Sequence, residues 1–326
     1  MSNELELDFS NYNKLEIHYW LRNNIHSIDA FTENKCSYEI LNIIREIAKL
    51  NELEILIETE ALGEGGVKKW LKIVSKDENK KGTITSAVII AIVVAILQIP
   101  FTKIPEKLID KIFEDTELTE LQKEKLRKEI EGIDIDNQIK LLENPTIRKK
   151  RSNFYENLDK NPQVESVSFE IQDETGKSIN NEKKIDRQEF KSFIITTDDL
   201  EPQEIEEAII EIISPVLKKG KYKWSGYYNG EPIFFSMKSN EFKSLVQNGN
   251  VEFKNGFTIN CAITIKKKVD NEGHIKISGY EVIRVNEYFI NDKPIQTREG
   301  RKYKSDKNNN SEQLNLFSSL DELDDQ

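Results

Sequence analysis

Residues Gly82–Thr102 read GTITSAVIIAIVVAILQIPFT, a run of 21 residues without a charge. A helix that crosses a bilayer needs about 20 predominantly apolar residues, so the length fits a membrane segment. The strictly apolar centre, Ala87–Leu97, is only 11 residues long, which suits a re-entrant or buried helix equally well. Ala87, Ala91 and Ala95 recur every four residues and would share one helix face, with Thr83 before them and Gln98 after. Helices in lipid associate through small residues and polar contacts rather than through hydrophobic drive. These five residues are therefore candidate pore-lining or helix-packing positions, leaving the isoleucines and valines for lipid tails. Lys80 and Lys81 flank one end and Lys103 and Lys107 the other, so charge asymmetry sets no orientation.

On either side of this segment the pattern changes. Residues 1–81 read as a small α/β domain. Leu5–Phe9 and Leu15–Trp20 alternate as strands, and Tyr38–Leu50 carries apolar residues at helical spacing. Glu52–Ala61 and Val67–Val74 read as two strands joined at Gly63-Glu64-Gly65-Gly66, a turn that lacks the GK[ST] ending of a phosphate loop. Residues 103–162 read as a helical connector. Ile104–Asp115 is amphipathic, a capping box opens a second helix at Thr119, and Arg148–Pro162 reads as a linker or solvated helix.

Residues 163–304 read as a β-rich basic domain. Val164–Ile171, Glu189–Thr197, Lys221–Tyr228, Pro232–Met237, Phe257–Lys268 and His274–Val285 all look extended, with Asn229-Gly230 as a hairpin turn. Helices are expected at Glu204–Ile213, capped by Asp198-Asp199, and near Asn240–Val246. Residues 305–326 form an acidic tail expected to be disordered. The expected class is thus α+β: an N-terminal α/β unit, a transmembrane or re-entrant helix, a helical connector and a β-rich C-terminal domain.

The chain carries a formal charge of −11, yet Val216–Lys304 holds 17 Lys/Arg against 9 Asp/Glu. Local sign selects partners, whereas net charge mostly sets solubility. Within that region Lys218, Lys219, Lys221, Tyr222, Lys223, Trp224 and Tyr227 mix cations with aromatic rings, and Lys266, Lys267 and Lys268 add charge. Cations on phosphates and aromatics on bases hold single strands, which makes these ten residues candidate nucleic-acid ligands. A core strand with lysines in water is the competing reading. In the tail, Gln313, Leu314, Leu316 and Phe317 resemble the bacterial sliding-clamp docking pentapeptide, with asparagine at its middle position; docking of the tail on this chain's own body is the competing reading.

Nothing in the sequence points to catalysis. His18, His26 and His274 are scattered, and neither HExxH nor GxSxG occurs. Cys36 and Cys261 lack a CxxC partner, which suggests no zinc site, no disulfide framework and a reducing compartment. No cofactor is expected. The N-terminus lacks the basic and apolar regions of a secretory signal, so synthesis in the cytoplasm is expected.

The layout of a small cytosolic unit, one Ala-spaced hydrophobic helix and a basic β module containing Lys223-Trp224 and Tyr228-Asn229-Gly230 resembles the single-helix membrane effectors of bacterial anti-phage systems. Among them it looks most like the Hailong type. That resemblance implies a channel at the bacterial inner membrane, a homo-oligomer such as a tetramer. Its implied partners are membrane lipid, a nucleotidyltransferase, and a short single-stranded DNA or nucleotide signal that gates it. The other expectation is an interaction protein that buries residues 82–102 and docks on nucleic acid, a sliding clamp or another partner.

Overall fold

The computed structural model describes residues 12–24, 26–60, 67–75, 85–101, 140–218, 220–290 and 293–308. Leu5–Phe9, the Gly63–Gly66 turn, Thr83, the helices expected at Ile104–Asp115 and from Thr119, and the docking motif Gln313, Leu314, Leu316 and Phe317 lie outside them. Two compact units emerge, Met1–Asp198 with Val269–His274, and Asp199–Lys268 with Ile275–Gln326.

The first unit is built on a five-stranded sheet ordered β2-β3-β1-β4-β5. Its strands are β1 (Lys14–Leu21), β2 (Ile55–Thr59), β3 (Val67–Ser75), β4 (Val164–Gln172) and β5 (Ile185–Asp186). β1 alternates strictly: Leu15, Ile17 and Tyr19 enter the core, while Glu16 and His18 belong to the opposite face. β4 pairs antiparallel with β1, so the strand expected to open the C-terminal domain completes the N-terminal sheet instead. A chain separation of more than 100 residues hides that pairing from local pattern.

Helix α1 (Ala30–Leu50) starts at Asp29, whose carboxylate accepts the Thr32 amide, and buries Ile40, Ile43, Ile44 and Ile47. Helix α2 (Ser86–Gln98) is the decisive element. Thr85 caps it, accepting from the Val88 amide, and Ile99, held extended ahead of Pro100, ends it. Thirteen residues rise only about 20 Å, short of a hydrocarbon layer of about 30 Å. Among the described residues no helix is long and apolar enough to cross a membrane.

Every residue of α2 except Gln98 is buried, packed against α1 and strands β1, β3 and β4. The transmembrane or re-entrant helix in the expected fold class is therefore corrected: the segment is the centre of a protein core. The chain is mixed α/β, and its hydrophobic helix is enclosed by its own sheet and helices. A run rich in Ile and Val is a modest helix former, so burial, worth about 1.5–3 kcal/mol per large side chain, sustains it. Ala87, Ala91 and Ala95 are all buried here, and the Gln98 amide donates to the Phe169 carbonyl at 3.5 Å.

Helix α3 (Pro145–Lys160) begins with an Asn144 cap and proline in its first turn. The expected solvated helix is a second correction, because Lys149, Lys150 and Arg151 are buried. Lys149 pairs with Asp198 at 2.7 Å, and Lys150 lies 3.3 Å from Glu39. The Arg151 guanidinium donates to the carbonyls of Ile96 and Ile99 at 2.9 and 2.7 Å, closing the open end of α2. It also lies over the Phe101 ring at 3.9 Å. Burial pulls the Arg151 guanidinium down to about 9. The strand expected at Glu189–Thr197 is a 3-10 helix, Arg187–Phe193, which buries Phe190 and Phe193 at i, i+3 spacing.

The second unit is a β-barrel. Its strands are β6 (Asp199–Ser214), β7 (Trp224–Tyr228), β8 (Glu231–Met237), β9 (Thr258–Val269), β10 (Ile275–Ile290) and β11 (Lys293–Gln296). The order β10-β8-β7-β6-β9 closes through a β10–β9 pairing, and β11 joins the outside of β10. β8 and β10 run parallel, whereas β6–β7, β7–β8 and β6–β9 are antiparallel. Helix α4 (Asn240–Gln247) lies between β8 and β9 in the chain, and residues 298–308 form a last helix, α5. Asn229 and Gly230 both have positive φ, the geometry of a tight hairpin, and so join β7 to β8 as expected.

β6 overturns the helix expected at Glu204–Ile213. Ile205, Ala208, Ile209 and Ile212 match helical spacing, but Ala208, Ile210 and Ile212 match a strand, and those three are the buried ones. Isoleucine favours strands, and β6 finds a partner on each side. Asp198 pairs with Lys149 and Asp199 opens β6, so neither caps a helix.

Candidate nucleic-acid interface

The barrel sorts the aromatic residues near its first hairpin by strand parity. Trp224 faces inward, 2% exposed, among Phe235, Phe242 and Phe253. It is a core residue and leaves the set of ligand candidates. Tyr227, three positions on, is 44% exposed, and on β8 Phe234 is 67% exposed. Trp224 pairs with Phe235, Ser225 with Phe234, and Tyr227 with Pro232. Tyr227 and Phe234 are thus diagonal neighbours on the outer face, within reach of one another at about 7–8 Å between Cα atoms.

Phe234 was not among the residues singled out from sequence. The available signal was Phe234-Phe235 within a strand, since adjacent side chains point to opposite faces and one ring must face outward. β6 extends the face, with Glu207, Ile209, Glu211 and Ile213 exposed along it. Gly226 permits this close layering, because a Cβ there would meet the Glu211 carbonyl at 2.5 Å.

The lysines fall into two groups that the fold keeps apart. Lys218, Lys221 and Lys223, all exposed, lie in the connection between the end of β6 and the start of β7. Among the described residues none of the three carries an ion pair; Lys219 lies outside them. Tyr222, 67% exposed, rests its ring against Gly220 in the same connection. Lys267 and Lys268 instead pair with Leu200 and Asp199 at the other end of β6, a 16-residue strand.

Two lysines of that run are already engaged, whereas Lys268 is exposed and has no ion pair among the described residues. Lys266 lies 3.0 Å from Glu281, which also meets Lys238 at 3.4 Å, and Lys267 donates to Gln203 at 2.8 Å. Burial pushes the Glu281 carboxyl up, but the two lysines outweigh it and hold it below the ordinary carboxylate value. The acidic residues of β6 also belong to this barrel, so a basic balance counted from Val216 overstates its charge. What remains is a local basic loop beside an aromatic face.

The first unit has a polar cluster on the sheet face away from its helices. Glu16 and Glu170 are direct cross-strand partners. Trp70 Nε1 and Gln172 Nε2 donate to Glu16 at 3.0 and 2.8 Å, and Lys68 lies 2.7 Å from it. The Ser168 hydroxyl donates to Glu182 at 2.7 Å and accepts from Trp20 Nε1 at 3.0 Å. His18 Nδ1 is 3.5 Å from the same Glu182 oxygen, and burial, then Lys68, lowers its pKa.

His18 and Ser168 therefore share an acceptor and do not form a nucleophile–base pair. These contacts knit β1, β3 and β4 together. Among the described residues no group of His, Cys, Asp and Glu could hold a metal ion. Burial raises both cysteine thiols, Cys261 to about 12, which suits core residues rather than nucleophiles. Compared with known proteins, the chain matches no family model, no curated protein and no solved structure.

Proposed function

We propose that the second unit binds single-stranded nucleic acid across the outer face of β6, β7 and β8. The observation that carries this reading is the diagonal pair of exposed rings, Tyr227 and Phe234, beside the lysines Lys218, Lys221 and Lys223, which carry no ion pair among the described residues. Rings set on a rigid hairpin lose little freedom when a base stacks on them, and such stacking is worth about 1–3 kcal/mol per base. Lysines on a loop neutralise phosphates and release counterions, which supplies affinity without sequence preference.

The barrel connectivity lends support. In chain order its strands close as 1-2-3-5-4, with strands 3 and 5 parallel and a helix between 3 and 4. This is the arrangement of the OB-fold, in which the second and third strands and the first loop bind oligonucleotides or oligosaccharides. Fold alone assigns no function, so the weight rests on the exposed rings and lysines. A membrane channel gated by the same ligand required residues 82–102 in lipid, and with α2 enclosed that reading is not carried forward. Titration of a fluorescent single-stranded oligonucleotide with the full chain tests the proposal, through an affinity that falls steeply as salt rises.

A further inference from the structure

Glu211 stands directly opposite Tyr227, as its Cα partner across β6 and β7, and is exposed on the same face. A carboxylate on a surface that binds a polyanion requires a reason. Its neighbours on β6 are neutralised, Glu206 by Arg284 and Glu207 by Lys307. Glu211 has no ion pair among the described residues, and Ile209 and Ile213, both about half exposed, flank it on the outer face.

Resting on the single-strand reading above, we propose that Glu211 reads the edge of the base stacked on Tyr227 and favours bases with an exocyclic amino group, cytosine over thymine. Charge dictates the direction of approach. The lysines follow Ser214 and precede Trp224, at the end of the face two cross-strand pairs beyond Glu211 and Tyr227. Phosphates are drawn to that end and repelled from Glu211, so a base edge rather than the backbone reaches the carboxylate. An ionised carboxylate only accepts hydrogen bonds. Cytosine N4 offers it a donor, whereas thymine presents the O4 acceptor at the corresponding position and is repelled. The flanking isoleucines thin the water around the contact, which strengthens both the attraction and the repulsion.

The experiment compares short oligo(dC) and oligo(dT) of equal length on the full chain and on Glu211→Gln, at neutral pH and fixed salt. The glutamine is isosteric at an exposed position, and circular dichroism checks that the fold is kept. The wild type should bind oligo(dC) about five-fold tighter, the low end of what one base-edge contact supplies. In Glu211→Gln the ratio should fall toward one, because the amide still accepts from cytosine and now donates to thymine O4. Equal tightening of both ligands with an unchanged ratio would make Glu211 a bulk charge and overturn the inference while leaving the interface intact. A wild-type ratio of one or below would also overturn it. Failure of the wild type to bind either oligonucleotide would instead remove the interface itself, and this inference with it.

Discussion

Trp224 and Tyr227 lie three residues apart on one five-residue strand and serve opposite surfaces, the first closing the barrel core and the second standing in solvent. Odd spacing on a strand means opposite faces. Replacing Trp224 by alanine should therefore cost about 3–5 kcal/mol of stability, the range for deleting a large core aromatic. Tyr227→Ala should leave unfolding in urea nearly unchanged and should act on ligand binding alone. Equal destabilisation by the two substitutions would show that the faces are assigned wrongly.

The two lysine groups should separate in binding. Lys221→Glu and Lys223→Glu should weaken retention of a single strand and lower the slope of log affinity against log salt by about 0.7 for each phosphate left without its cation. Lys268→Glu, at the far end of the 16-residue β6, should have little effect, because exposed charges more than about 10 Å apart are largely screened. Similar losses at Lys221 and Lys268 would mean a footprint running the length of β6.

α2 should behave as core. Ile92→Ala should cost about 2–5 kcal/mol, and Ala91→Leu about 1–3 kcal/mol by overpacking a site with no exposed surface. Chemical unfolding of the full chain reads both. Near-neutral results at both positions would place α2 outside the core.

Much of this fold was legible locally. The Tyr38–Leu50 part of α1, the β2–β3 pair, β4, the Asn229-Gly230 hairpin and α4 follow from period and turn chemistry, whereas the expected helix misses the start of α1 at Ala30. Where the reading failed, the deciding information was non-local. An uncharged run of the right length for a membrane is cut by Thr85 and Pro100, and only the folded sheet shows what covers it. The EIEEAIIEII run of β6 satisfies both a helical and a strand template, and its two partner strands settle the choice. At the interface, Tyr227 and the loop lysines could be named from composition. Trp224 could not be excluded, nor Lys266–Lys268 separated from the loop, until strand parity and register were known.

Glu170 should limit stability at neutral pH. Burial raises its pKa above the ordinary value, and Glu16, its direct cross-strand partner, adds to the rise, although Gln172 donates to it. A carboxyl whose folded pKa is raised binds its proton more tightly in the native state. Its ionisation therefore costs nothing below the unfolded value of about 4.3 and costs progressively more as pH climbs through the raised folded value. Glu170→Gln should melt higher than the wild type at pH 7, and the gap should close on acidification. A gap that stays constant with pH would mean the gain comes from packing rather than charge.

The outer face of the barrel is best judged by one titration. The full chain and its Tyr227→Ala/Phe234→Ala double variant are added to a labelled single-stranded oligonucleotide, and anisotropy is followed as salt rises from about 50 to 200 mM. Stacking predicts that the wild type binds with a steep salt dependence. The double variant should lose about 2–6 kcal/mol of affinity, two bases' worth, with an unchanged melting temperature. Wild-type binding that survives loss of both rings, or no salt-sensitive binding by the wild type at all, would contradict a single-strand interface on β6, β7 and β8.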